Sequence, residues 1–170
     1  MPKIGSKAPA FSLKNEKDET KTLADFSGKW LVLYFYPKDD TPGCTIEACQ
    51  FTDHLPKFGK LDAVVAGVSP DSPESHRKFI KKKELKITLL ADEGQKTCEK
   101  YGVWQEKSMY GRKFMGVVRT TFLIDPTGKI AHVFEKVKAE GHAEEVRLKL
   151  AELRSHGRAV SGANDQPQKA

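Results

Sequence analysis

Apolar residues fall along this chain in two patterns: short unbroken runs, and stretches where they recur every three or four positions. Trp30-Leu31-Val32-Leu33-Tyr34-Phe35-Tyr36 is an unbroken run of strand length, rich in aromatics. That is the pattern of a central strand covered on both faces, and Pro37 stops it. Leu61 to Val68 predicts a second apolar strand, and Ile87-Thr88-Leu89-Leu90 a shorter one. Between the first two, Ala48, Phe51, Leu55 and Phe58 form one helical stripe. The helix they predict starts at Thr41-Pro42, a capping hydroxyl followed by proline at the first helical position, and runs to Phe58, with Gly59 ending it. Ser72-Pro73 opens a second helix in the same way, with Phe79, Ile80 and Leu85 as its apolar positions, and a short helix is predicted from Glu93 to Tyr101, stopped at Gly102.

Toward the ends the patterns change. Phe11, Leu13 and Leu23, separated by a polar stretch, predict an N-terminal hairpin followed by a turn at Phe26 to Lys29. Thr120 to Asp125 and Lys129 to Phe134 flank the turn residues Pro126-Thr127-Gly128 and form a second hairpin. Ala143, Val146, Leu150 and Leu153 give the last helix its stripe, whereas Val103 to Val118 has no legible period. The order strand, helix, strand, helix, hairpin, helix describes an α/β protein with a thioredoxin-like fold: a central mixed sheet flanked by helices, with an N-terminal hairpin extension. One domain is expected over residues 1–156, and the polar tail 157–170 has too little apolar content to pack and is expected to be disordered.

Composition narrows the setting. A chain of 170 residues can bury a core without disulfide or metal, and no apolar run approaches the roughly 18 residues of a membrane span. The N-terminus has no apolar stretch to serve as a signal peptide, and three cysteines, an odd number, suit reduced thiols better than a disulfide framework. The expected location is the cytoplasm, with no membrane partner. A net charge of +6 permits nucleic-acid binding. Its densest cluster, Arg77, Lys78, Lys81, Lys82, Lys83 and Lys86, lies on one predicted helix without interleaved aromatics, which favours a solvated helix face over a nucleic-acid partner.

The candidate chemistry sits in Tyr36-Pro37-Lys38-Asp39-Asp40-Thr41-Pro42-Gly43-Cys44-Thr45-Ile46-Glu47-Ala48-Cys49, at the carboxyl end of the first central strand, where such sheets place their sites. Cys44 falls in a first helical turn, where unpaired N–H groups and the positive end of the macrodipole favour thiolate, so its pKa is expected to fall. Thr41 is placed to cap the helix or to direct its hydroxyl at the sulfur or a bound oxygen, and Pro37 and Pro42 stiffen the loop. The competing reading is an inert buried cysteine packed like a small hydrophobe. On a regular helix, residues five apart lie about 8 to 9 Å apart at Cα, whereas a disulfide needs less than about 7 Å. A bond between Cys44 and Cys49 therefore requires the first turn to unwind. The spacing is not Cys-x-x-Cys, Cys44, Cys49 and His54 share no helix face, and the five histidines show no paired ligand spacing, so neither a metal nor a cofactor is expected. Arg119 taken alone is a strand-end charge, and Glu47 a first-turn glutamate that suits the helix dipole.

The sequence resembles the peroxiredoxins, whose pattern Pro-x-x-x-Thr-x-x-Cys is matched by Pro37, Thr41 and Cys44. The form Tyr-Pro-Lys-Asp-Asp-Thr-Pro-Gly-Cys-Thr, with Cys49 five residues on, is similar to the bacterioferritin comigratory protein or peroxiredoxin Q branch, and the likeness runs from about Ile4 to the last helix. The resemblance implies a thiol peroxidase acting on hydrogen peroxide and organic hydroperoxides. In it Cys44 attacks the O–O bond and becomes a sulfenic acid, Cys49 resolves it as a disulfide, and a thioredoxin-like protein reduces the product. It further implies that Arg119, in Val118-Arg119-Thr120-Thr121-Phe122, stabilises the thiolate and orients the peroxide, that Glu47 orients Arg119, and that the protein is a monomer. A thiol-disulfide oxidoreductase without peroxidase activity is the alternative. Cys98 matches no part of the pattern and is read as a bystander, with a role as a second resolving thiol left open.

Overall fold

The computed structural model describes residues 1–162, and their side chains as far as Ser155. Nine strands and four α-helices follow in order: β1 (Ser12–Asn15), β2 (Thr20–Thr22), β3 (Trp30–Phe35), α1 (Pro42–Lys60), β4 (Ala63–Ser69), α2 (Pro73–Lys83), β5 (Thr88–Ala91), α3 (Lys96–Lys100), β6 (Trp104–Met109), β7 (Arg112–Val117), β8 (Thr120–Ile124), β9 (Ile130–Phe134) and α4 (His142–Gly162). The expected tail from Gly157 lies, from residue 163 on, outside the described residues. No helix among those described is long and apolar enough to cross a membrane.

Seven strands form one sheet in the order β2-β1-β5-β4-β3-β8-β9. β3, β4 and β5 run parallel, and β8, β9 and the β1–β2 hairpin add antiparallel edges. This is the thioredoxin-like α/β arrangement, with β3 near its centre. Alternation along β3 divides the core. Val32, Tyr34 and Tyr36 pack with Ala48, Phe51 and Phe58 of α1 and with Val146 and Leu150 of α4. Leu31, Leu33 and Phe35 point the other way, onto Cys98 and Tyr101. Both faces are apolar because both are covered, and each fully buried aromatic or aliphatic side chain contributes about 1.5 to 3 kcal/mol.

Three sequence expectations need correction. Gly59 does not end α1, which continues to Lys60 with Pro56 inside it. The left-handed residue that follows is Asp62, φ 54°, whose N–H reaches back to the Gly59 carbonyl. Thr41 occupies the N-cap position with extended backbone, but its side chain makes no capping bond and its Oγ1 donates to the Lys38 carbonyl at 2.9 Å. The stretch without legible period is a separate hairpin, β6–β7, turning through Tyr110 and Gly111, both at positive φ. Ser72 does cap α2, accepting from the Ser75 N–H at 3.1 Å. Two basic residues of α2 are tied to neighbouring loops, Arg77 to Asp18 and Lys82 to Asp40.

Candidate active site

Cys44 is the third residue of α1, directly beyond the carboxyl end of β3, and only 2% of it is exposed. Burial comes partly from Arg119, which the turn between β7 and β8 brings over the helix start. One guanidinium nitrogen of Arg119 donates to Cys44 Sγ at 3.3 Å, and the other to Glu47 Oε1 at 2.5 Å. Gly43 makes this approach possible, since a Cβ there would lie 3.1 Å from Arg119 Nη2. The sulfur thus faces a fixed cation on one side and the open N–H groups of a helix start on the other.

Glu47 is fully buried, one turn after Cys44. Burial pushes its carboxyl up to about 7, against the pull of Arg119. Burial also opposes the charge on Arg119, but Glu47 and then Cys44 outweigh it, so the guanidinium's affinity for its proton is raised. Glu47 Oε2 has no hydrogen-bond partner among the described residues.

The structure brings Cys44, Arg119 and Glu47 together, and Thr41 and Pro37 shape the loop leading to them. Cys49 lies on the same continuous helix, half-buried against the core, and all three thiols are free. Cys98 is elsewhere. It is wholly buried on the opposite face of the sheet, among Phe35, Tyr101 and Val103, with its N–H donating to Asp92 Oδ2 at 2.7 Å. Its helix buries Thr97 beside Cys98 and exposes Lys96, Glu99 and Lys100. Burial and then Asp92 push its thiol far above the ordinary range, so it is an inert site for nucleophilic chemistry.

A second polar group underlies the loop. Asp39, a loop residue to which the sequence gives no role, is buried, and its carboxylate accepts from Tyr36 Oη (2.6 Å), Ser75 Oγ (2.7 Å) and His76 Nδ1 (2.7 Å). His76 Nε2 donates to the Leu90 carbonyl at 3.0 Å, and the Asp39 N–H donates to Asp71 Oδ2 at 2.8 Å. Both ring nitrogens of His76 and both carboxylate oxygens of Asp39 thus have partners, and leaving a buried polar group of such a cluster without its partner costs about 1 to 3 kcal/mol. Asp39, Asp71 and His76 each offer a metal-ligand atom within 4.8 Å of the others. Those carboxylate oxygens are already committed to protein donors, Asp71 Oδ2 also accepting from Ser69 Oγ, which makes the group a closed hydrogen-bond cluster and not an open ligand set.

The AhpC/TSA family pattern matches residues 4–133. Peroxiredoxin Bcp of Bacillus subtilis is 48% identical over 150 residues, covering 88% of this chain and 96% of the relative. Peroxiredoxin Bcp of Escherichia coli is 44% identical over 144 residues, covering 85% and 92%. Among solved structures, a cysteine-to-serine mutant of Xylella fastidiosa PrxQ superposes with a TM-score of 0.84 at 40% identity, over 92% of this chain and 98% of that one. The Xanthomonas campestris bacterioferritin comigratory protein, described in connection with alkyl peroxide reduction, gives 0.81 at 39% identity, over 91% and 99%. With a buried thiol held at a helix start by an arginine, and relatives matched over nearly their whole length, the chain belongs to the AhpC/TSA family, in its Bcp/PrxQ branch, and is a thiol-based peroxidase.

Proposed function

We propose that Cys44 is the sulfur that attacks peroxide and that Cys49 completes the cycle. The observation that carries this reading is the Arg119 donor 3.3 Å from Cys44 Sγ, braced from behind by Glu47. The thiolate attacks the terminal oxygen of a hydroperoxide. An S–O bond forms as the O–O bond breaks, sulfur is oxidised to Cys44 sulfenic acid, and the leaving oxygen takes a proton to depart as water or an alcohol. Arg119 and the helix start act where negative charge sits on sulfur and on the reacting oxygens. The Cys49 thiol then displaces water from the sulfenic acid to give a disulfide, and a thioredoxin-like dithiol exchanges with that bond to restore both thiols. Hydrogen peroxide and organic hydroperoxides are the proposed substrates, the latter in keeping with what is described for the Xanthomonas relative.

Both cysteines lie on one unbroken helix, so their Cα atoms stand about 8 to 9 Å apart and the first turn of α1 opens before they bond. Cys98 does not compete, because the sheet lies between it and Cys44.

Mass spectrometry of peroxide-treated protein tests this order of events. Wild type is expected to carry a 44–49 disulfide, and Cys49→Ser to accumulate a sulfenic acid at Cys44 that a dimedone-type reagent traps. A disulfide to Cys98 instead would reassign the partner. Gly43→Ala tests the approach of the arginine. Its Cβ displaces the guanidinium by a few tenths of an ångström, and peroxide turnover should drop about tenfold, since small misplacements at reacting groups are costly. Thermal stability should hold or rise, because alanine favours the helix over glycine by about 0.5 to 1 kcal/mol.

A further inference from the structure

The reaction proposed above needs a proton for the leaving oxygen, and the buried site holds a group placed to carry it. Glu47 follows Cys44 by three residues on α1, so the two side chains are neighbours on one helix face, with Cβ atoms about 5 to 6 Å apart. Both are buried, Cys44 to 2% exposure and Glu47 completely. A single guanidinium joins them, Arg119 Nη2 donating to Cys44 Sγ at 3.3 Å and Nη1 to Glu47 Oε1 at 2.5 Å. Oε1 is thereby committed to the arginine. Oε2 is buried and has no hydrogen-bond partner among the described residues, an arrangement that is costly unless the oxygen has a use.

Charge counting points to that use. Arg119 brings one positive charge into a buried site where two acids face it, the Cys44 thiol and the Glu47 carboxyl. Buried charge persists where it is balanced, and one anion balances one cation. Cys44 and Glu47 therefore keep one proton between them. Glu47 suits its half of that sharing, since burial raises its carboxyl to about 7 against the pull of Arg119. We infer that Glu47 is the proton carrier of the active site, taking the proton of Cys44 and returning it to the leaving oxygen of the peroxide. The thiol proton passes to the carboxylate, which leaves a thiolate beside Arg119. The sulfur then bonds the terminal oxygen of the hydroperoxide as the O–O bond breaks, giving a sulfenic acid and a hydroxide or alkoxide. The Glu47 carboxyl protonates that oxygen, water or an alcohol leaves, and the carboxylate balances Arg119 beside the neutral sulfenic acid. Reduction of the disulfide returns a thiol at Cys44, and the proton is shared again. The net charge of the site is the same throughout. This role goes beyond bracing Arg119 and rests on Cys44 being the attacking sulfur.

The test uses the reduced full-length protein at pH 7 and Glu47→Gln, which keeps an oxygen for Arg119 Nη1 but carries no transferable proton. Second-order oxidation of Cys44 is measured with hydrogen peroxide and tert-butyl hydroperoxide, whose leaving oxygens are strongly basic, and with peracetic acid, whose leaving acetate needs no proton. Alkylation by iodoacetamide, mapped by mass spectrometry, reads the thiol itself. Glu47→Gln should react about a hundredfold more slowly with the two hydroperoxides, the size expected when a positioned acid is lost. Its rates with peracetic acid and iodoacetamide should stay within about threefold of wild type, and Cys98, sealed in the core, should stay unalkylated because the fold is intact. Glu47→Asp keeps a transferable proton and should recover at least about tenfold of the loss. Equal slowing in all four reactions overturns the inference, because Glu47 would then act only by placing Arg119. So does a Glu47→Gln protein as fast as wild type with the hydroperoxides, or a Glu47→Asp protein with no recovery. Peroxide consumption persisting in Cys44→Ser overturns the assignment of Cys44 and this role with it, whereas an inactive Cys44→Ser beside a normal Glu47→Gln overturns the role of Glu47 alone.

Discussion

Replacing Cys44 with serine is expected to reduce peroxide consumption to the uncatalysed background while leaving a cooperatively folded protein. The exchange is nearly isosteric, and the buried hydroxyl retains the Arg119 guanidinium as a hydrogen-bond partner in place of the sulfur. What disappears is the acidity. A thiol ionises readily beside a cation at a helix start, whereas an alkyl hydroxyl does not become an anion at neutral pH. No other thiol substitutes: Cys98 is sealed on the far face of the sheet with its proton tightly held, and Cys49 lacks the guanidinium. Peroxide loss followed at micromolar protein, with Cys98→Ser as an active control, decides the matter. Turnover retained in Cys44→Ser would move the chemistry to another group.

Replacing Arg119 with methionine should lower the rate of peroxide reduction by about a hundred- to a thousandfold, the size of effect seen when a fixed donor to reacting charge is removed. It also strands Glu47, whose carboxyl burial already holds at about 7 and which loses its opposing charge with the arginine. The sign of the stability change follows from linkage. A carboxyl with a folded pKa above its unfolded value keeps its proton longer in the native state, so the native state holds more protons between the two values and stability falls as pH rises through that window. In wild type the window runs from the ordinary carboxylate value of 4.5 to about 7. Without Arg119 its upper edge moves higher, so Arg119→Met should go on losing stability above pH 7, to a higher pH than wild type does. Urea midpoints at those pH values measure it, and the double variant Glu47→Gln with Arg119→Met should be flat. A single variant as flat as the double would mean that Glu47 is not the group responsible.

Much of this is legible in the chain because local chemistry and global fold agree at the critical point. Thr41-Pro42 announces the helix start, and the unbroken apolar run before Pro37 announces the strand that delivers it. The capping position is right even though the Thr41 hydroxyl turns to Lys38, since extended backbone at that residue and proline after it suffice to begin the helix. The parts that stay hidden depend on contacts between distant residues. Glu47 reads as an ordinary first-turn acid, and only Arg119, 72 positions on, explains why it is buried. Asp39 hides its role in the same way, its partner His76 lying 37 positions away. The β6–β7 hairpin defeats periodicity for a different reason: it buries almost no face, and Met109, Tyr110, Phe114 and Met115 are all exposed, so no alternation is imposed on its sequence. Cys98 sits in a helix of five residues, too short for any stripe to show.

The cluster under the active-site loop bears on how far motion can travel. Asp39 is pinned to α2 and, through His76, to β5, while the helix from Ala48 onward is pinned by its buried stripe. The segment between those pins is tied at both ends and, between them, by Arg119 to Cys44 and Glu47. On the proposed cycle, drawing Cys44 toward Cys49 would distort this length first, and the strands flanking Arg119 and the helix-facing core would stay in place. If the cycle runs as proposed, hydrogen exchange should find most amide protons as protected during turnover as at rest, because the opening stays within that length and does not melt the domain.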